Sequence, residues 1–160
     1  MNILWAPWRV KFIKRKKQKG CIFCKKIKQK NDSKNLIVYR GKYCFVILNT
    51  YPYNNGHLMI VPYRHISTLE KLSQQEGLEI FELTKNMIKI LKKVYKIQGC
   101  NIGINIGKPA GAGIDKHLHL HIVPRWIGDV NFMPVFSDTK VISESLNNTY
   151  KLLKKEAKNL

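Results

Sequence analysis

Apolar residues recur along this chain at two different periods. The runs NLIVYR (35–40) and YCFVILN (43–49) are rich in β-branched and aromatic residues and flank Gly41-Lys42, which predicts a β-hairpin. HLMIVP (57–62) predicts a third strand, reached through TYPYNNG, a loop dense in Pro, Asn and Gly. The period then lengthens. Ile80, Leu83, Met87, Leu91 and Val94 recur at three- to four-residue intervals behind Ser73 and Glu76, a capping-box pair, and Gly99 is the expected stop of this helix. Strand character resumes in NIGINI (101–106). GKPAGAG (107–113) follows as a glycine-rich loop, and HLHLHIV (117–123) alternates strictly, as a strand with one buried face does, with Pro124 as its expected end. Leu146, Tyr150 and Leu153 give a closing amphipathic helix one apolar side.

Strands joined by tight turns and interrupted by one long helix predict the α+β class: an antiparallel sheet of about five strands, with the long helix and the C-terminal helix against one face. No repeat or Pro/Gly/Ser-rich linker divides the chain, so one domain is expected over residues 1–160, with residues 1–30 as a basic arm. That length buries a core without the help of disulfides.

Charge changes the picture more than composition does. The chain carries a net charge of +19, a field that favours polyanions such as nucleic acid, an anionic membrane surface or a polyphosphate nucleotide, without choosing among them. Eleven basic residues lie between Arg9 and Lys30, and no carboxylate precedes Asp32. A solvated lysine-rich arm explains that stretch equally well. No apolar run approaches the ~18 residues of a membrane helix, and the N-terminus lacks the parts of a secretory signal. A cytoplasmic protein with no membrane partner is the expectation. Cys21 and Cys24, in CIFC, have a spacing that suits metal or redox chemistry, whereas Cys44 and Cys100 read as small buried hydrophobes.

Three of the five histidines, His117, His119 and His121, occupy alternate positions of one segment. In a strand such residues share a face at ~6.5 to 7 Å intervals, so Leu118, Leu120 and Ile122 face the core and the imidazoles face a common cleft. Three readings fit: polar residues on a wet sheet face, an H-x-H metal site, or an imidazole nucleophile directed at phosphorus. Backbone N–H groups of the upstream glycine loop suit phosphate oxygens.

HLHLHIVPRW resembles the signature of the histidine triad (HIT) superfamily of nucleotidyl hydrolases and transferases. LNTYPYNNGHLMIVPYRH is similar to that family's Asn…Gly-His strand pair, and NIGINIGKPAGAG to its Asn/Gln-x-Gly loop. LWAPWR, CIFC and VPRWIGDVNFMP resemble the bacterial branch that includes diadenosine tetraphosphate phosphorylase. The resemblance implies a nucleotidyl-histidine enzyme cleaving dinucleoside polyphosphates such as diadenosine tetraphosphate, by phosphorolysis or hydrolysis. It makes His119 the nucleophile, His121 a phosphate contact and His57 a fourth histidine beside the triad. Asn49 is implied at the ribose and Asn105 at the phosphates. Better-known branches carry a hydroxyl or amide residue shortly before the triad; here Gly111, Ala112, Gly113 and Ile114 stand there, so loop N–H groups, with Lys108, are expected to replace it. The resemblance further implies a structural zinc held by Cys21, Cys24, His65 and His117, and a homodimer formed through the long helix and a strand. A nucleoside phosphoramidase of the same superfamily is an alternative. From a different class comes a basic nucleic-acid-binding protein using Trp5, Trp8 and Phe12. The sequence leaves open whether the substrate requires Mg²⁺.

Overall fold

The computed structural model describes residues 20–129 and 142–160. The aromatic residues of the arm, Trp5, Trp8 and Phe12, and the NFMP stretch lie outside the described residues. Two short helices, α1 (Ile22–Lys28) and α2 (Asp32–Asn35), lead into the hairpin of β1 (Ile37–Arg40) and β2 (Cys44–Leu48). Next come β3 (Leu58–Pro62), a 3-10 turn at Leu69–Lys71, the long helix α3 (Gln74–Tyr95), β4 (Gly99–Ile104), β5 (Leu120–Arg125) and the C-terminal helix α4 (Leu146–Ala157). The strands form one five-stranded antiparallel sheet in the order β1-β2-β3-β5-β4.

One line of registered residues crosses the whole sheet: Ile37 opposite Ile47, Ile47 opposite Met59, Met59 opposite His121 and His121 opposite Gly103. Side chains alternate between faces along a strand, so registered partners lie on the same face. The opposite face carries Val46, Leu58, Ile60, Leu120 and Ile122, which bury against Ile80, Leu83, Met87 and Leu91 of α3 and Leu153 of α4. Helices were expected on this face alone. The triad face, however, is covered in part by α1, whose Phe23 packs with Ile37, Phe45, Ile47, Met59 and Val61. Burial from both sides explains why CFVIL and LMIVP are continuously apolar rather than alternating.

The capping box forms as read: the Ser73 side chain accepts the Glu76 N–H at 3.2 Å while the Glu76 carboxylate accepts the Ser73 N–H at 2.8 Å. Two boundaries differ from expectation. α3 ends at Tyr95, where Lys96 takes the left-handed conformation with φ 50°, and Gly99 opens β4 instead of stopping the helix. Ile97, buried in the main core, draws the chain off the helix axis before the glycine is reached. Pro124 lies inside β5 opposite Cys100, and the strand runs on to Arg125. Its carbonyl accepts from Asn54 Nδ2 at 2.9 Å, on the side beyond the end of β3. A residue's N and C=O face the same side in a strand, so the missing N–H costs no ladder bond to β4. Cys44 is fully buried as expected, while Cys100 on the edge strand is only half-buried.

Candidate active and metal site

His117 and His119 precede the first residue of β5, and burial does not alternate there as a half-buried strand would: residues 117–120 are all buried, because α1 covers the triad face while Leu120 and Ile122 enter the main core. The three imidazoles do not share one open cleft. His117 is 1% exposed and faces the cysteines, whereas His119 and His121 line a cleft of about 150 Å³ between α1, the sheet and the glycine loop. Phe23 separates the two environments, with its ring centroid 5.3 Å from both His117 and His119.

Hydrogen bonds fix each tautomer, because a carbonyl can only accept. His119 Nδ1 lies 2.8 Å from the His117 carbonyl and therefore carries the proton, which leaves Nε2 as a lone pair. His117 Nε2 donates to the Pro62 carbonyl at 2.9 Å, freeing Nδ1. The Tyr53 N–H donates to His57 Nδ1 at 3.1 Å, so His57 holds its proton on Nε2 and donates it to His121 Nδ1 at 2.9 Å. His121 then keeps its own proton on Nε2, a donor opposite in sense to the lone pair of His119. Burial pushes the pKa of all three triad histidines below the ordinary range, and His121 falls to about 4 through burial and the neighbouring His119. All three are neutral at pH 7.

Asn49, Asn105, Gly111 and Gly113 line the same cleft as His119 and His121, so the sequence-predicted contacts converge there. His57 is fully buried behind His121 rather than at the surface of the cleft. The Asn49 carboxamide oxygen accepts the Tyr51 N–H at 2.9 Å, which fixes its orientation at the end of β2. Lys108 does not join them: it is an exposed residue paired with Asp115 at 3.8 Å, because the glycine loop turns its side chain away from the cleft. Sequence reasoning missed Phe23 and Lys26, which line the cleft from α1, and Tyr53, whose backbone orients His57. The i, i+3 spacing of Phe23 and Lys26 was legible, but seven helical residues beside a lysine-rich arm carry too little periodicity to signal a packed face.

Cys21, Cys24, His65 and His117 come together in space, each offering one ligand atom, with all four atoms within 4.8 Å of one another. Nδ1 of His117 lies 3.2 Å from Cys21 Sγ, 3.6 Å from Cys24 Sγ and 3.2 Å from His65 Nδ1, and Cys24 Sγ lies 3.4 Å from His65 Nδ1. A tetrahedral zinc with ordinary bond lengths requires about 3.3 Å between two nitrogens and about 3.6 Å between sulfur and nitrogen. The donor set fits that metal. The Pro62 carbonyl on the far nitrogen of His117 supplies the outer contact such a ligand needs. His65 is positioned by its neighbour Arg64, whose Nε donates to Glu76 Oε1 at 2.8 Å and ties the segment to the start of α3.

A five-stranded antiparallel sheet with an H-x-H-x-H segment on its covered face defines a class, and comparison with known proteins agrees: the family profile described as the HIT domain matches residues 30–126, and the chain belongs to that family. It is 40% identical over 161 aligned residues to the AP-4-A phosphorylase of Mycobacterium tuberculosis, covering 96% of this chain and 83% of that protein. It is also 32% identical over 89 residues to the asymmetrical bis(5'-nucleosyl)-tetraphosphatase of Schizosaccharomyces pombe, covering 56% of this chain and 48% of that one. Among solved structures, a zinc-bound histidine triad family protein from Mycobacterium smegmatis superposes with a TM-score of 0.70 at 21% identity, over 88% of this chain and 94% of that one.

Proposed function

We propose that this protein cleaves dinucleoside polyphosphates through a nucleotidyl intermediate on His119. The observation that carries the reading is the 2.8 Å bond from His119 Nδ1 to the His117 carbonyl, which leaves an unprotonated Nε2 at the cleft wall. In the first step the Nε2 lone pair attacks the α-phosphorus. A P–N bond forms, the P–O bond to the remaining polyphosphate breaks, and the departing nucleotide keeps that electron pair. In the second step an oxygen nucleophile attacks phosphorus, the P–N bond breaks and its pair returns to Nε2. Water yields a nucleoside monophosphate and inorganic phosphate yields a diphosphate. The His121 Nε2–H and the loop N–H at Gly113 would stabilise the equatorial oxygens, since the N–H groups of Gly111 and Ala112 are held by the Lys108 and Gly107 carbonyls. Likeness to AP-4-A phosphorylase over most of the chain favours phosphate as the second nucleophile.

Cys21, Cys24, His65 and His117 would hold a structural zinc that pins α1 to the triad segment. Leu78 and Phe81 on α3 and Ile102 on β4, 66%, 73% and 48% exposed, support a homodimer through the helix and the edge strand. No helix of the described residues is long and apolar enough to cross a membrane, and cytoplasmic residence belongs to the same proposal.

The test is product analysis with diadenosine tetraphosphate, with and without phosphate. ADP plus ATP identifies phosphorolysis, AMP plus ATP identifies asymmetric hydrolysis, and no turnover removes the reading. His119→Ala is expected to abolish turnover; a retained rate would refute its role as nucleophile.

A further inference from the structure

The cleft extends well beyond the triad. Its floor follows the registered residues from His121 through Met59 to Ile47, and at neighbouring-strand spacings of about 4.8 Å this carries it some 10 Å toward β1. Lys26 closes that far end. It lies three residues beyond Phe23 on α1, a rise of about 4.5 Å further along the helix, and it bonds to the chain just ahead of β1 rather than to anything near β5. Its Nζ donates to the Asn35 carbonyl at 3.1 Å, the sole acceptor it meets among the described residues.

Within the described residues this half-buried ammonium spends one donor, which leaves the others to a ligand or to water. An ammonium group has three donors and no acceptor capacity, and one carbonyl takes one of them. No carboxylate lines the cleft among the described residues, and Ile22, Phe23, Ile47, Met59 and Ile114 give it a largely apolar wall. A largely apolar cleft with a donor-only cation in its lining is complementary to a ring that is apolar on its faces and offers acceptors along one edge.

Resting on the nucleotidyl-histidine reading, which places the α-phosphate at His119 and so the base at the opposite end, we infer that Lys26 reads the base edge and biases the site toward 6-oxopurines over adenine. Guanine and hypoxanthine present O6 and N7 as adjacent acceptors, the pair a lysine recognises in a nucleic-acid groove. Adenine replaces O6 with an amino group, which sets donor against donor. A contact from Lys26 to phosphate would instead strengthen binding of every nucleotide alike.

The experiment has two readouts on the full chain. Titration calorimetry with GMP, IMP and AMP measures base preference without turnover, and kcat/KM for the diguanosine, diinosine and diadenosine tetraphosphates measures it in catalysis. The wild-type protein is expected to favour GMP and IMP over AMP by at least about fivefold. Lys26→Met, which keeps the apolar stem, and Lys26→Gln, which offers both a donor and an acceptor, should bring that ratio toward one. Equal wild-type affinities, a preference for GMP not shared by IMP, or a uniform loss for all three nucleotides in the variants would each overturn the inference. If no dinucleotide is turned over but the Lys26-dependent preference persists, the base reading stands and the catalytic proposal fails. Turnover without base preference overturns the base reading and leaves the catalytic proposal standing.

Discussion

His121 shows how strongly a buried imidazole depends on its neighbours. Its Nδ1 already accepts from His57 Nε2, so a second proton would have to enter a position facing another N–H. Burial, followed by the nearby His119, pushes its pKa from about 6.5 to about 4. The unfolded chain therefore binds this proton first as pH falls, and the native state loses stability across the interval from about 6.5 to about 4, keeping the full contribution above it. The denaturation midpoint is expected to decline over that window, with a shallower decline in His121→Gln. Parallel slopes for the two proteins would show that His121 is not the group responsible. The alternation of the triad was visible in the sequence because a period of two needs only seven residues to declare itself. The partner His57 stands 64 residues away, and the Tyr53 N–H that sets its tautomer is a backbone group no side-chain pattern encodes.

Elements with a strong period were legible, and their ends were not. The run from Ile80 to Val94 and the Ser73–Glu76 box specify α3, but its C-terminus is decided by burial of Ile97 against the sheet, a tertiary event that overrides the glycine two residues later. The hairpin turn is similar. Glu79 of α3 accepts the N–H groups of Lys42, Tyr43 and Cys44 at 2.8, 2.6 and 2.6 Å, a cap supplied from 35 to 37 residues away. Glu79→Leu strands three donors and should cost about 2 to 3 kcal/mol in chemical denaturation. A loss within experimental error would mean that water satisfies the turn. α1 presents the opposite problem. Seven residues are too few for a stable helix in isolation, and α1 gains its place from Phe23 and from the cysteines beside it. Removing metal with a strong chelator should lower the melting temperature and speed hydrogen exchange at residues 22–28 more than in α3. Uniform exchange throughout would argue against a clip at this point.

Across the molecule, composition announced a polyanion and topology says where it enters. A charge of +19 on 160 residues could serve nucleic acid as well as a nucleotide, since charge acts at a distance and carries little shape. The sheet order favours the nucleotide for this face: it places β5 beside β3 and lets the cleft run from His121 past Met59 to Ile47, without a carboxylate among its described lining residues. On the proposed reading, one nucleotide enters this cleft and the rest of the polyphosphate stays outside it. Long-range attraction then acts mainly on encounter, so kcat/KM for diadenosine tetraphosphate should fall several-fold as ionic strength rises from about 0.01 to 0.3 M, as the screening length shortens from about 30 Å to under 10 Å. The single-turnover rate at saturating substrate should change far less, because groups inside the cleft are poorly screened. A substrate with two bridging phosphates instead of four carries less charge and should show a shallower salt slope. Equal slopes would assign the excess of lysines to solubility and leave substrate capture to contacts within the cleft.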